Sequence, residues 1–276
     1  MSNKKLKYKI LRAAQKGKWA VGQFNVSNIE TLKAIFEAAR KLRSPVIIGT
    51  SEGESKFLGL RQARALVSLL EEETGVPAIL NLDHGKTFDY IKKAIQAGYD
   101  SVHFDGSCLS LSQNIVLTKK VVKYAARFRV LVEGEVGVIG GNLTDTKEAQ
   151  KFARETNIDL LAVNVGTIHG IKKSGKNPAV KLQRLEEIKK AVGNTLLVLH
   201  GGSGTPEKDI KAAIKLGIVK ININTELRNA FTGSLRKELG KNTRENTPYK
   251  YLPRAIEAVQ KVVEGKIKLF RSNNKI

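Results

Sequence analysis

The residues best suited to chemistry in this chain are its histidines, of which there are four. Three of them, His84, His169 and His200, stand where short apolar runs end in glycine-containing turns: AILNLDHG, LLAVNVGTIHG and LLVLHGGSG. The fourth, His103, lies inside the run SVHFDG. An isolated histidine is usually a packed or surface residue, but three at equivalent strand ends favour one divalent metal site built from those ends.

Acidic side chains occupy similar positions. Asp83 directly precedes His84, and Gly85 eases a bend at which the chain is predicted to leave the sheet, so one of the two residues can bind metal while the other faces substrate. Glu133 and Glu135 share one face of a strand because side chains alternate. An aspartate beside a metal-bound oxygen can exchange a proton with a substrate hydroxyl, although for an aspartate alone a helix cap or a histidine partner is the commoner role.

A glycine-rich turn, HGGSG at 200–204, precedes a helix predicted to begin near Thr205, with Pro206 at its first position. Glycines let backbone N–H groups converge on a phosphate, and a helix N-terminus adds partial positive charge. Asn224 and Thr225 follow the next strand, and the loops after strands seven and eight commonly bind phosphate in barrels. A phosphorylated substrate is therefore expected. NAD and ATP are not indicated, because the chain lacks both a dinucleotide fingerprint and a phosphate-loop motif.

Eight short apolar runs, each followed by a segment of helical period, must position these residues. They span 20–26, 45–50, 77–82, 100–105, 129–135, 159–165, 195–200 and 217–223. Asn28 is a candidate N-cap. An open doubly wound sheet would give a similar alternation, but polar residues follow nearly every strand here. We therefore predict an α/β protein with a single (β/α)8 TIM barrel over 1–276, including a C-terminal amphipathic helix at 253–270 and a loose tail at 271–276.

Charge and composition restrict the class of protein. Lys and Arg number 48 against 26 acidic residues, giving a net charge of +22. The basic residues are spread over predicted helices without interleaved aromatic residues, which favours a solvated basic surface over a dedicated nucleic-acid-binding surface. Cys108 is the only cysteine, which excludes an internal disulfide and a cysteine-rich zinc module. No apolar run suits a signal segment or a membrane helix, so a soluble, cytoplasmic protein is expected.

Seven motifs, occurring in order, closely resemble those of the class II, metal-dependent ketose-bisphosphate aldolases. They are GQFNVSN (22–28), LDHG (82–85), SVHFDGS (101–107), VEGEVG (132–137), VGTIHG (165–170), LHGGSG (199–204) and KININTEL (220–227), and the resemblance runs from about residue 10 to 270. That family is a (β/α)8 barrel that reversibly cleaves fructose 1,6-bisphosphate, or tagatose 1,6-bisphosphate in a sister group, into dihydroxyacetone phosphate and glyceraldehyde 3-phosphate. The resemblance implies an enzyme of glycolysis and gluconeogenesis that forms a homodimer or homotetramer.

The resemblance also implies roles for individual residues. It assigns the catalytic zinc to His84, His169 and His200, and a possible second cation, divalent or monovalent, to Asp105 and Glu135. Asp83 matches the residue that exchanges a proton with the C4 hydroxyl. The substrate site corresponds to Asn25, Ser51, Gly170, Gly201, Gly202, Ser203, Gly204, Asn222, Asn224 and Thr225. Three neutral histidines leave the ion its charge to polarise the ketone, and such sites accept zinc, cobalt or iron.

Two segments depart from the family's pattern. Between the fifth and sixth strands the family usually has a longer mobile loop with a glutamate proposed to take the proton from dihydroxyacetone phosphate; here GGNLTDTKEAQ is shorter, and Glu148 is expected on the following helix. Near the C-terminus, Tyr249 occupies the position of an arginine that binds the second phosphate. Lys250 or Arg254 can substitute as charges, but a lysine does not reproduce the bidentate fork of an arginine.

A zinc-dependent aldolase acting on fructose 1,6-bisphosphate is the favoured function, and three alternatives stay open. Tyr249 motivates a tagatose 1,6-bisphosphate aldolase or a related aldolase with a different aldehyde acceptor. Three histidines with carboxylates can instead activate water for metal-dependent hydrolysis. A net charge of +22 also suits a basic nucleic-acid-binding protein on a TIM-barrel scaffold, although charge alone predicts only nonspecific binding.

Overall fold

The chain forms a closed barrel of parallel strands, as predicted. The computed structural model describes residues 3–175, 177–241 and 243–276, and within these ranges it contains eight strands. The strands β1 to β8 are Val21–Asn25, Val46–Ser51, Ala78–Gly85, Ser101–Phe104, Leu131–Val136, Leu160–Val163, Leu196–Leu199 and Ile218–Ile223. Each strand pairs with the next along the chain, and β8 pairs with β1. With helices alternating between the strands, this is a (β/α)8 TIM barrel.

Helices surround the barrel. The described helices α1 to α11 are Asn3–Gly17, Ile29–Leu42, Glu52–Leu58, Leu60–Thr74, Phe88–Gln96, Leu111–Phe128, Thr146–Thr156, Leu182–Val192, Glu207–Lys215, Thr225–Lys241 and Pro248–Leu269. Asn28 caps α2 as predicted, since its side-chain oxygen accepts a hydrogen bond of 2.8 Å from the backbone N–H of Thr31. Among the described helices, none is long and apolar enough to cross a membrane.

An apolar plug closes one end of the barrel and leaves the other end to the polar residues. Near the strand starts, the inward-facing apolar side chains are Val21, Ile47, Ile79, Leu131, Leu160 and Leu196. They pack against Leu11 in α1 and against Trp19 just after it. The polar residues on the same inward faces therefore collect at the carboxyl ends of the strands.

The strand β3 is longer than predicted. It continues through Asp83 and His84 to Gly85, where the sequence predicts that the chain leaves the sheet. Its pairing with β4 shifts between Leu82 and Gly85, and His84 has a left-handed φ of 52°. An extra residue in one strand interrupts the alternation of side chains. This bulge is what allows the consecutive residues Asp83 and His84 to enter one site.

Three predictions about helices and termini were wrong in detail. The helix α9 begins at Glu207, and the hydroxyl of Thr205 donates to a preceding backbone carbonyl at 2.9 Å instead of capping the helix. The helix α11 begins at Pro248, before the predicted start at 253. The tail is not loose, because the backbone N–H groups of Asn274 and Lys275 donate hydrogen bonds of 2.9 Å to carbonyls at the end of α2.

Candidate active site

The carboxyl ends of the strands assemble most of the predicted site residues around one cavity. This cavity has a volume of about 360 Å³ and is lined by eleven of them: Asn25, Ser51, Asp83, His84, His169, Gly170, Gly201, Ser203, Asn222, Asn224 and Thr225. A second cavity of about 370 Å³ shares His84 and His169 with the first, and Asp105 and Glu135 also line it. Residues far apart in the sequence meet here because the ends of parallel strands meet at one mouth of the barrel.

Four imidazole rings pack together at the base of the cavity. Nε2 of His84 lies 3.1 Å from Nδ1 of His200. The ring of His169, which is exposed on the loop after β6, is centred 5.1 Å from that of His84 and 6.2 Å from that of His200. The ring of His103 is centred 4.8 Å from that of His84 and 5.0 Å from that of His200. His103, which had no predicted role, thus belongs to the cluster.

The side chains present fit a divalent metal ion. One ligand atom from each of Asp83, His84, His103 and His200 lies within 4.8 Å of the others. Nitrogen ligands about 2.1 Å from a tetrahedral ion lie roughly 3.4 Å apart, and the distance between the facing nitrogens of His84 and His200 is 3.1 Å. His169 lies outside this tight group. Imidazole nitrogens with a carboxylate oxygen form a donor set that zinc, cobalt and iron accept.

A second group of candidate ligands, His84, Asp105 and Glu135, lies beside the first. Oδ2 of Asp105 is 2.8 Å from Nδ1 of His84 and 2.5 Å from the ammonium of Lys86. Burial alone would raise the pKa of Asp105, but the hydrogen bonds from His84 and Lys86 hold it well below its usual range. Lys86 therefore brings a positive charge to the carboxylate that was predicted to bind a second cation.

The histidines differ in their affinity for protons. Burial lowers the pKa of His84, but the carboxylates of Asp83 and Asp105 outweigh burial and raise this pKa to about 9. The ring of His169 is partly enclosed although the residue is exposed, and this enclosure together with the neighbouring His200 and His84 lowers the pKa of His169 to about 4. Burial also lowers the pKa of His200. Without metal, the ring of His84 therefore carries a proton at neutral pH, and a metal ion must displace that proton.

Asp83 is held in place by two amides. The Nδ2 groups of Asn25 and Asn222 donate hydrogen bonds to its two oxygens at 2.9 and 3.0 Å. Burial alone would raise the pKa of Asp83, but the charge of the neighbouring His84 holds it well below its usual range. The carboxylate is thus ionised at neutral pH and fixed in orientation, so it can accept a proton from a substrate hydroxyl.

A buried ion pair between Lys220 and Glu133 holds the side chain of His200 in place. Nζ of Lys220 lies 2.6 Å from one oxygen of Glu133, and the other oxygen lies 2.8 Å from Nε2 of His200. Because Glu133 accepts from Nε2–H, Nδ1 of His200 is left to face the cluster. Glu133 was recognised from strand alternation, whereas Lys220 was not among the predicted residues, although the same alternation places it on the inward face of β8.

Another group of residues lining the first cavity suits an anion. Ser203, Asn224 and Thr225 belong to it, and α10 begins at Thr225, so a helix N-terminus borders the cavity. Arg228, one turn into α10, also lines the cavity. Arg228 was not among the predicted residues, yet its position three and four residues after Thr225 and Asn224 puts it on their face of the helix.

The glycine turn contributes less to this cavity than predicted. The N–H of Gly202 donates to a backbone carbonyl of β8 at 3.2 Å, and the N–H of Gly204 donates to Glu226 at 2.8 Å. Neither residue lines the cavity. Gly201 does line it, with φ of 69°, and a Cβ there would lie 2.4 Å from the carbonyl oxygen of Ile168. The helix N-terminus at the cavity is that of α10 and not that of α9.

Glu54 links two cavity-lining residues, Asn25 and Asn224, through hydrogen bonds. Ser51 and Glu54 form a capping box at the start of α3. The Glu54 carboxylate also accepts hydrogen bonds from Asn25 at 2.9 Å and from Asn224 at 3.0 Å. The spacing from Ser51 to Glu54 was a visible signal for the cap, but nothing in it indicated contact with Asn25 at the end of β1 or with Asn224 after β8.

Comparison with known proteins decides the family. The family model described as "Fructose-bisphosphate aldolase class-II" matches residues 6–275. The chain belongs to this family. It is therefore an aldolase, an enzyme that cleaves a carbon–carbon bond, and its family typically depends on a metal ion and acts on phosphorylated sugars.

Relatives of this aldolase carry different substrate names. A probable fructose-bisphosphate aldolase of Bacillus subtilis (strain 168) is 40% identical over 278 residues, covering 96% of both chains. A 6-phospho-5-dehydro-2-deoxy-D-gluconate aldolase of Bacillus velezensis is also 40% identical, covering 96% of this chain and 95% of the relative. The crystal structure of the YdjI aldolase from Escherichia coli K12 matches with a TM-score of 0.87 and 30% identity over 98% of both chains. Sequence identity alone therefore does not determine which phosphorylated sugar is the substrate.

The C-terminal candidates for a second phosphate site of the aldolase lie away from its cavities. Tyr249 is 76% exposed on α11. Lys250 pairs with Glu245 at 3.3 Å, and Arg254 pairs with Glu257 at 3.1 Å. None of the three lines either cavity in the described part of the chain. Neither cation is therefore placed to bind a second phosphate in either of these cavities.

Proposed function

We propose that this aldolase reversibly cleaves fructose 1,6-bisphosphate into dihydroxyacetone phosphate and glyceraldehyde 3-phosphate, as a zinc-dependent enzyme of glycolysis and gluconeogenesis. One observation carries the proposal: a single cavity is lined by Asp83, His84 and His169 and also by Thr225, at the N-terminus of α10, and by Arg228. Asp83 and the histidines suit a ketone and a hydroxyl, and the N-terminus of α10 with Arg228 suits a phosphate.

We assign the zinc to His84, His169 and His200. When bound there, the ion supplies the positive charge that polarises the substrate ketone. One buried carboxylate oxygen without a hydrogen-bond partner among the described residues, Oε2 of Glu135, supports the presence of a cation nearby. Two of the assigned ligands, His84 and His200, belong to a group of candidate ligand atoms that lie within 4.8 Å of one another, which supports it further.

Asp105 and Glu135 are our candidates for a second cation, divalent or monovalent. Because the ammonium of Lys86 already lies 2.5 Å from Asp105, we expect this position to fill only when Lys86 moves away. Among the described residues, the catalytic position has no ammonium group to move, and only the proton of His84 must be displaced there. We therefore expect the first metal ion to bind more tightly than the second.

In the cleavage direction, Asp83 takes the proton of the C4 hydroxyl while the bond between C3 and C4 breaks. The electron pair of that bond passes toward the polarised ketone, which becomes the enediolate of dihydroxyacetone phosphate, and C4 becomes the aldehyde. Asn25 and Asn222 hold the carboxylate in position for this transfer. In the condensation direction Asp83 returns the proton to the same oxygen.

We assign the phosphate of the dihydroxyacetone half to the part of the cavity wall at the N-terminus of α10. The helix N-terminus and the side chains of Ser203, Asn224 and Thr225 offer hydrogen-bond donors there. The planar guanidinium of Arg228 can bind two phosphate oxygens at once. Ser51, Gly170 and Gly201 line the same cavity.

A second candidate is an aldolase for tagatose 1,6-bisphosphate or for another aldehyde acceptor, and the residues of the second cavity favour it. That cavity is lined by Lys86, Cys108, Val138 and Ile139 together with metal-site residues, and Lys86 is already paired with Asp105. Tyr249, which stands where the resemblance places an arginine, does not line it. The relative named for 6-phospho-5-dehydro-2-deoxy-D-gluconate is as similar as the one named for fructose bisphosphate.

The test is a comparison of initial rates of cleavage for fructose 1,6-bisphosphate, tagatose 1,6-bisphosphate and fructose 1-phosphate by the metal-replete enzyme. We expect kcat/KM for fructose 1,6-bisphosphate to exceed the other two by about tenfold or more, equivalent to about 1.4 kcal/mol of transition-state binding. Comparable values of kcat/KM for fructose 1,6-bisphosphate and fructose 1-phosphate would favour an aldolase with a different aldehyde acceptor. Release of inorganic phosphate would instead indicate metal-dependent hydrolysis.

We also propose that the enzyme works in the cytoplasm as a homodimer or homotetramer. Phe57 on α3 and Tyr249 on α11 are 81% and 76% exposed, and a contact between subunits would cover such large apolar side chains. Size-exclusion chromatography with light scattering should give two or four times the chain mass of 30.3 kDa. A mass equal to one chain would contradict this part of the proposal.

A further inference from the structure

His103 bridges two strands inside the barrel. Its side chain on β4 is fully buried. Nδ1 accepts a hydrogen bond of 3.2 Å from the backbone N–H of His84, and Nε2 lies 3.3 Å from Oε2 of Glu135. Neither Nε2 nor that oxygen has a well-formed hydrogen bond to any group in the described part of the chain. The ring is therefore placed between the bulge of β3 and the carboxylate of β5.

The contact with His84 lies where β3 is irregular. Between Leu82 and Gly85, β3 has one residue more than β4 has over the paired stretch. His84 has a φ of 52°, a conformation that residues other than glycine rarely adopt. Because a bulge interrupts the ladder of backbone hydrogen bonds, the N–H of the extra residue needs a partner from elsewhere. His103 supplies this partner from the neighbouring strand.

We propose that His103 is a positioning residue that holds the backbone of His84 in the bulge and thereby directs the His84 imidazole to the metal site. This inference rests on the proposed function in that His84 binds metal. In a regular strand, the side chains of Asp83 and His84 would point to opposite faces, so the site requires the bulge. Since Nδ1 accepts a hydrogen bond, a neutral ring carries its hydrogen on Nε2, where it faces Glu135.

Three substitutions of His103 distinguish the effect of its hydrogen bond with His84 from that of its approach to Glu135. His103→Asn keeps an acceptor near the position of Nδ1 and loses the approach to Glu135. His103→Gln keeps a polar group near the position of Nε2 and loses that acceptor, while His103→Leu removes both contacts. The matched control is Thr118→Val, which removes another fully buried side-chain hydrogen bond, of 3.1 Å to Asn114 in α6. Circular dichroism establishes that each variant is folded.

The readouts are the zinc dissociation constant, from competition with a chelator, and the visible absorption of the cobalt-substituted protein. We expect His103→Leu and His103→Gln to weaken zinc binding by about 10–100-fold, as is usual when a group that orients a ligand is lost. Their cobalt bands should also weaken as tetrahedral coordination is disturbed. His103→Asn and Thr118→Val should retain affinities and spectra close to those of the unaltered protein.

Two results would overturn the inference while leaving the metal site intact. The first is wild-type zinc affinity in His103→Leu. The second is equal weakening in His103→Asn and His103→Leu, because His103 would then act as a ligand itself or through Glu135. A His84→Ala variant with unchanged zinc affinity would show instead that the proposed metal site is wrong, and the role of His103 would fall with it.

Discussion

At the scale of single residues, the chemistry depends on one carboxylate that is both ionised and immobile. Asp83 receives hydrogen bonds from Asn25 and Asn222 and stays ionised beside His84. Asp83→Asn keeps the size of the side chain but cannot take a proton. We expect kcat for cleavage to fall by about 10²–10⁴-fold, while zinc content, the control, stays the same. Steady-state kinetics with kcat within tenfold of wild type would contradict the role of Asp83.

A second prediction concerns the pH dependence of metal binding. The pKa of His84 is about 9 in the metal-free protein, so its ring is protonated below that pH. Metal must displace this proton, and the apparent zinc affinity should therefore fall by about tenfold for each pH unit below about 9. Above that pH the dependence on this group should vanish. Chelator competition at several pH values measures the slope, and an affinity that does not change below pH 9 would refute the prediction.

Some site residues could be predicted from the sequence and others could not, for physical reasons. Histidines are rare in this chain, so three at strand ends were conspicuous. Arg228 and Lys220 are two of 48 basic residues, and only their place on a helix face or a buried strand distinguishes them. His103 could not be given a role because its contact depends on a bulge in β3, and a bulge leaves no clear mark in the pattern of apolar residues.

At the scale of elements, alternating apolar runs and helical segments were enough to predict the barrel and all eight strands within the described residues. The end of β3 was misplaced because Gly85 suggested a bend, whereas the strand accommodates Asp83 and His84 through a bulge. The polar tail was predicted to be loose from its composition. Its backbone bonds to the end of α2 are independent of side-chain type, so composition could not predict them.

One element-scale prediction concerns the short loop after β5. Nδ2 of Asn164 donates to the carbonyl oxygens of Val138, Gly141 and Asn142 at distances of 2.7, 3.0 and 2.9 Å. Asn164→Ala removes the shared donor, so we expect the free energy of unfolding to fall by about 1–3 kcal/mol and proteolysis within the loop to accelerate. The control Asn142→Ala alters an exposed side chain of the same loop. Chemical denaturation and limited proteolysis should separate the two variants; equal behaviour would contradict the role of Asn164.

At the scale of the whole molecule, a net charge of +22 should affect binding to polyanions. We expect duplex DNA and single-stranded RNA to bind without sequence preference at low salt. Because such binding is driven by the release of counterions, affinity should fall by about 10³-fold or more between about 50 and 200 mM salt. Fluorescence anisotropy measures this slope. Tight binding that persists at physiological salt would contradict nonspecific attraction and indicate a dedicated nucleic-acid surface.

The central claim is that the enzyme cleaves fructose 1,6-bisphosphate by means of a metal ion held by the histidine cluster. The most direct measurement is a coupled assay of triose phosphate release with the same preparation in three states: metal-replete, treated with a strong chelator, and restored with zinc. We predict cleavage in the first state, loss in the second and recovery in the third. Turnover that survives complete removal of the metal would contradict the claim, as would a zinc-loaded enzyme that leaves fructose 1,6-bisphosphate intact.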